Sequence, residues 1–230
     1  MHDLLLVPHI IAGIVALASM VVPLVARKGG RVHRRAGWVF VIAMTGVSAT
    51  AFALAIWRFT MADARHPNAR AAGLFLFYVA TLTAAGVSSG MRAIRFRSRT
   101  APHRHVWDLA IAAANLAMAL VILAYGVIDH RSLFIAFSSI GLLTGIAQLR
   151  YWLRAPATRH EWWFAHMGGM LGSCIAALTA LVVTNAARLG TRTFATTIWI
   201  AVPAIGLPAV FGWTAYYRRV FAARSPSELS

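Results

Sequence analysis

Three histidines stand near the starts of three apolar runs: His33 in HRRAGW (33–38), His105 in HRHVWD (103–108) and His166 in HEWWFAHMGG (160–169). Imidazoles brought together from separate helices can hold a metal or a haem. Three of them around zinc, at about 2.0–2.1 Å, leave a fourth position for water, and Asp108 would serve as base or as the carboxylate orienting a ligand. Two of them on opposite faces of a porphyrin would hold haem b and leave no other covalent trace in the chain. His9, in LLLVPHIIAG (4–13), offers the same donor inside the first apolar run. The candidate cofactor ligands are therefore His9, His33, His105 and His166, and the candidate metal set is His33, His105, His166 and Asp108.

Positioning these groups falls to helices in a membrane. Of the 230 residues 60% are hydrophobic and only 12% charged, and mean hydropathy is +0.69, far above the apolar content of a water-soluble domain. A spanning helix needs roughly 20 apolar residues. Seven segments qualify: 4–26, 36–57, 71–91, 107–128, 132–153, 162–187 and 195–217. The expected fold is all-α, a single polytopic bundle of about seven transmembrane helices. The first run follows His2 and Asp3 without a basic leader or a small-residue cleavage site, and reads as a retained helix.

The net charge of +16 comes from 21 arginines and the single lysine, Lys28, against six acidic residues. These cations punctuate the apolar runs and form no continuous basic stripe, which argues against nucleic acid. Their distribution sets orientation. With the amino terminus outside, the inner turns 27–35, 92–104 and 150–159 carry five, five and three, and the tail three, against three, one and two on the other side. That asymmetry gives N-out, C-in. Tryptophan beside arginine at the inner starts of the second, fourth and sixth spans is the ordinary signature of a headgroup interface.

In helical register, His33, Gly37, Met44 and Ser48 share one face of the second span. His105, Asp108, Ala112 and Asn115 do so on the fourth, and His166, Met170, Ser173 and Ala177 on the sixth. The three faces start at similar heights and could converge near the inner surface. His33 and His105 nevertheless fall just before their expected helices and His166 a turn inside, a stagger of roughly 10 Å. His166, beyond Trp162 and Trp163, needs a partner at depth. GVSSG (86–90), GLLTG (141–145) and GGMLG (168–172) predict close helix packing, and Pro203 and Pro208 predict a kinked seventh helix.

Other chemistries are excluded by spacing. The histidines of HEWWFAH (160–166) are six apart, so they cannot chelate as HExxH does. Retinal chemistry needs a lysine inside a span. RKGG (27–30) lacks Walker spacing and follows a membrane helix. Cys174, the one cysteine, allows no disulfide. Asn115, Thr144, Gln148 and Ser173, with the prolines of the last span, support a second class, a small-molecule transporter or channel. A zinc hydrolase using Asp108 or Glu161 as base, and a structural subunit of a membrane complex, complete the alternatives.

RKGGRVHRRAGWVFVIAM (27–44) and HMGGMLGSCIAALTALVVTN (166–185) resemble a group of uncharacterised bacterial multi-pass inner-membrane proteins, known as a domain of unknown function. His9, Gly13, Lys28, Gly29, His33, Arg34, Gly37, His166, Thr179, Ala180 and Asn185 carry the resemblance, while Cys174 and Leu181 stand where aromatic residues are expected. The resemblance implies a bacterial inner membrane and adds interest to His9, His33 and His166, but implies no activity. The expected function is thus a histidine-ligated haem- or metal-binding protein of that membrane. Its expected partner is the lipid bilayer, with a homo-oligomer or larger complex left open.

Overall fold

Seven helices carry the apolar runs: α1 (His2–Val25), α2 (Arg31–Thr60), α3 (Ala69–Arg95), α4 (Val106–Ile128), α5 (Ser132–Leu153), α6 (Glu161–Ala186) and α7 (Thr196–Ala223). They come from a computed structural model that describes residues 2–60, 68–186 and 196–223, and no strand occurs among them. In hydrocarbon each backbone amide must bond within its own segment, so long apolar runs fold as helices. All seven are long and apolar enough to span. Residues 187 and 195 at the expected span edges, and Arg65, Arg188, Arg192 and Arg224 from the charge count, lie outside the described residues.

The expected boundaries hold within four residues except at two ends: α7 runs to Ala223, six residues past 217, and α2 begins at Arg31, five residues before 36. Arginine is a good helix former and snorkels, so RVHRR continues the helix through the headgroup zone. His33 is therefore inside α2, not before it. His105 is the N-cap of α4. Pro203 and Pro208 both lie inside α7, which runs unbroken from Thr196 to Ala223.

The helix α3 is the axis of the bundle. Half of its apolar window is buried, against a third or less in every other span, and it packs on α2, α4, α5 and α6. On one side, α1, α2, α3 and α6 enclose Met20, Phe40, Met44, Val87 and Cys174. On the other, α3, α4, α5 and α7 enclose an aromatic core in which Phe75 lies 5.0 Å from Phe134, 5.3 Å from Phe137 and 5.0 Å from Trp199. The fully buried Tyr78 joins α3 to α5: its hydroxyl donates to Phe137 O at 2.7 Å and accepts from Gly141 N at 3.1 Å. Those two groups are partners four residues apart on α5, so the hydroxyl serves one rung of that helix.

Small residues decide how closely α3 and α6 approach. A Cβ at Gly169 would overlap the Gly86 carbonyl oxygen and lie 3.1 Å from Gly90 Cα, and Ser173 sits against Gly86. The expected frame Gly168–Gly172 is one residue out of register, since a Cβ on either would meet nothing within 4 Å. Gly141 and Gly145 admit Ala119 and Leu116 of α4 as expected.

The turn from α1 to α2 closes through Gly29, at φ 75°, while Lys28 Nζ donates to Pro23 O at 2.8 Å and Leu24 O at 2.6 Å. It thus caps two orphaned carbonyls at the C-terminal end of α1, where a cation also suits the helix dipole. Partial burial holds its ammonium below the usual lysine range. Replacing Gly29 by alanine places a Cβ in the left-handed region. Gly29→Ala is expected to lower stability by about 1–2 kcal/mol, measured by thermal unfolding in detergent.

Candidate functional site

The first turn of α2 points His33 back at the α1 end. Its Nδ1 lies 3.1 Å from Pro23 O. On α6, His166 Nδ1 lies 3.1 Å from Gly90 O of α3, at the point where Gly169 and Gly90 let the two helices touch. A carbonyl can only accept, so in both rings Nδ1 carries a proton and donates, and in the neutral imidazole Nε2 keeps its lone pair. The same arrangement recurs at His9. Thr50 Oγ1 spends its proton on Gly46 O at 2.7 Å and so accepts from His9 Nδ1 at 2.8 Å.

Tying Nδ1–H to an oxygen is how proteins orient imidazoles that bind metals through Nε2, because the bond fixes both tautomer and ring plane. His9 is separate. It pairs with Thr50, 17 residues beyond His33 on the same helix, so about 25 Å along the axis separates the two levels.

Open space accompanies two of these histidines. Gly37 stands one turn after His33 on the inward stripe that continues through Phe40, Val41, Met44 and Ser48, all four buried. A Cβ on Gly37 would meet nothing within 4 Å, and the same is true of Gly13, one turn after His9. A bare helix surface beside an oriented imidazole is what a flat ligand needs for close approach.

The structure does not gather the expected metal set. Asp108 is 2% exposed and is held by Arg92, whose Nε and Nη2 bond its two carboxylate oxygens, the second at 2.6 Å. His103 Nε2 adds a bond at 2.8 Å. His105 Nδ1 stays 3.9 Å away on a half-exposed side chain. Arg92 is two residues beyond Gly90 on α3, which places it about 200° around the helix. The Asp108 cluster and His166 thus sit on opposite sides of α3. No group of three or more His, Cys, Asp or Glu able to hold a metal ion occurs among the described residues. The described residues thus do not bring His33, His105, His166 and Asp108 around one metal ion, since Asp108 is paired with Arg92 and the two histidines on α2 and α6 each bond a main-chain carbonyl.

Sequence reasoning missed Arg92, which it counts only as a topology charge, and His103, which stands in HRHVWD beside the candidate His105. The available signal was Asp108 itself, since an acid in an apolar run requires a cation nearby. Several other polar residues in the helices are bonded, although Ser48 Oγ, Asn115 Oδ1 and Trp199 Nε1 are buried without a partner among the described residues. Asn115 Nδ2 donates to Thr144 Oγ1 at 3.1 Å and Gln148 Oε1 at 3.4 Å, linking α4 to α5, and Ser173 Oγ donates to Gly169 O at 2.8 Å. These bonds join or stay within helices, as polar groups in lipid do. Glu161 accepts from Ala157 N at 3.0 Å, and His160 stacks on Phe221 at 4.3 Å. Compared with family models, curated proteins and solved structures, the chain matches none.

Proposed function

We propose that this seven-helix protein resides in a bacterial inner membrane, in the group its histidine and glycine motifs resemble, and holds a redox cofactor through His33 and His166, with haem b the occupant. One observation carries the reading: two helices, α2 and α6, each present an imidazole whose Nδ1 is tied to a main-chain carbonyl and whose Nε2 is left to ligate. The open space at Gly37 suits a planar group, which His33 and His166 would hold.

When bound, haem would supply one-electron chemistry. The chain's part is to bind, orient and shield. Pro23 O and Gly90 O hold the two rings in the Nδ1–H tautomer and strengthen the Nε2 donors. Phe40, Val41 and Met44, all buried, exclude water from the flank of the site.

The test is the absorption spectrum and metal content of protein purified from cells supplied with a haem precursor. A Soret band is expected, lost in His33→Ala and in His166→Ala and retained in His105→Ala. A colourless, metal-free preparation would sink the reading, as would a band that survives both single substitutions.

A further inference from the structure

A groove of about 310 Å³ opens at the arginine-rich end of the bundle, between the α3–α4 connection and the α5–α6 connection. Its walls include Arg97, Arg99 and Arg159 and the hydroxyl residues Ser98, Thr100 and Thr158. One acid, Glu161, also lines it, and that carboxylate accepts from Ala157 N at 3.0 Å. Even with Arg159 engaged in an interaction of its own, the guanidinium groups of Arg97 and Arg99 against one carboxylate leave the groove positive.

Its walls are fixed before any ligand arrives. Arg99 reaches across from the α3–α4 connection to the end of α5, donating to Arg154 O at 2.7 Å and Tyr151 O at 2.6 Å, with Ala101 O at 3.3 Å. Its guanidinium lies 4.3 Å from the Tyr151 ring centroid. A main-chain bond from His103 N to Trp152 O at 2.8 Å ties the same two segments. Carbonyl oxygens carry no formal charge, so these bonds position the Arg99 cation without neutralising it. A preorganised pocket loses little ordering entropy on binding.

The geometry points to a binding site for a phosphate group, independent of the histidine pair. Guanidinium forks and hydroxyls match phosphate oxygens in charge and in hydrogen-bonding sense. Basic pockets between helices at the positive face of a membrane protein are where acidic headgroups are held. The volume suits a headgroup or a free phosphate, with any acyl chains lying outside along the helices.

The full-length protein in detergent tests this with two phosphate sources. Native mass spectrometry reports retention of phosphatidylglycerol against phosphatidylcholine, and thermal shift reports inorganic phosphate. One phosphatidylglycerol per chain is expected, with about tenfold weaker retention in Arg97→Gln/Arg159→Gln. Arg31→Gln/Arg35→Gln, which removes the same charge from the start of α2, is expected to bind as wild type. Thr158→Glu, which adds a carboxylate to the groove, is expected to abolish retention even if the double variant proves unstable. Stabilisation by inorganic phosphate without lipid retention, lost in the same variants, would assign the site to free phosphate. Binding of neither source, or equal weakening in both arginine pairs, would overturn the site.

Discussion

Arg92→Met is expected to lower stability by about 3–5 kcal/mol, because it leaves the Asp108 carboxylate charged and almost fully buried with only imidazole partners. The Asp108 side chain is 1% exposed and that of Arg92 is 26% exposed, so the two halves of the pair are not equivalent. Removing the acid instead leaves a guanidinium that can swing toward water, so Asp108→Leu should cost less than Arg92→Met. The double variant Arg92→Met/Asp108→Leu should recover most of the loss, since a buried pair replaced by apolar groups is often near neutral. Chemical or thermal unfolding of the four proteins in one detergent supplies the cycle. If Arg92→Met unfolded at the wild-type midpoint, the ion pair would not be what joins the end of α3 to the start of α4.

Gly169→Ala is the second large effect expected. The added methyl would meet the Gly86 carbonyl and Gly90 Cα, both main-chain atoms that cannot turn aside. The helices α3 and α6 must then separate. Overpacking of this kind costs about 1–3 kcal/mol, and in a membrane the lost backbone contact is the main adhesive force between the helices. Separation would also stretch the 3.1 Å bond between His166 and Gly90 O, so any ligand held by His166 should weaken in the same variant. Gly172→Ala, three residues on with open space around it, should unfold as wild type or slightly later. Equal midpoints for the two alanine variants would refute the contact.

Much of the fold was legible in the chain because lipid leaves few choices. Apolar runs of spanning length become helices, and their ends fall near the interfacial tryptophans and arginines. The miss at α2 has the same physical origin. A basic segment after a glycine turn was read as loop from its charge, whereas arginines extend into headgroups while their backbone stays helical. The small-residue motif of α6 was seen, but its working frame was not. GGMLG contains Gly168, Gly169 and Gly172, and only the direction in which α6 faces α3 selects Gly169 with Ser173 over Gly168 with Gly172.

The candidate site divides along similar lines. His33 and His166 stood out because imidazole near or within lipid must find a partner, and that need is a property of the residue. Which partner each finds is not. His33 meets Pro23 O because a glycine turn folds α2 back along α1, and His166 meets Gly90 O because two glycines let α3 and α6 touch. Asp108 shared a helical face with His105 in the chain, yet its bonds go to Arg92 and His103. A buried carboxylate is stabilised most by the strongest donors within reach, and reach is set by where α3 ends.

The sequence by itself determined that seven apolar helices cross a membrane, which end is basic, and that histidines were the residues to watch. Hydrocarbon acts on each segment separately, so a single helix can be read without its neighbours. Only the tertiary structure decided that α3 is the axis, that His166 meets one side of it while Asp108 occupies the other, and that a groove lies between two basic connections. Those outcomes depend on which helix faces contact, and in lipid the contacts follow from close packing of small residues and a few polar bonds, not from hydrophobicity.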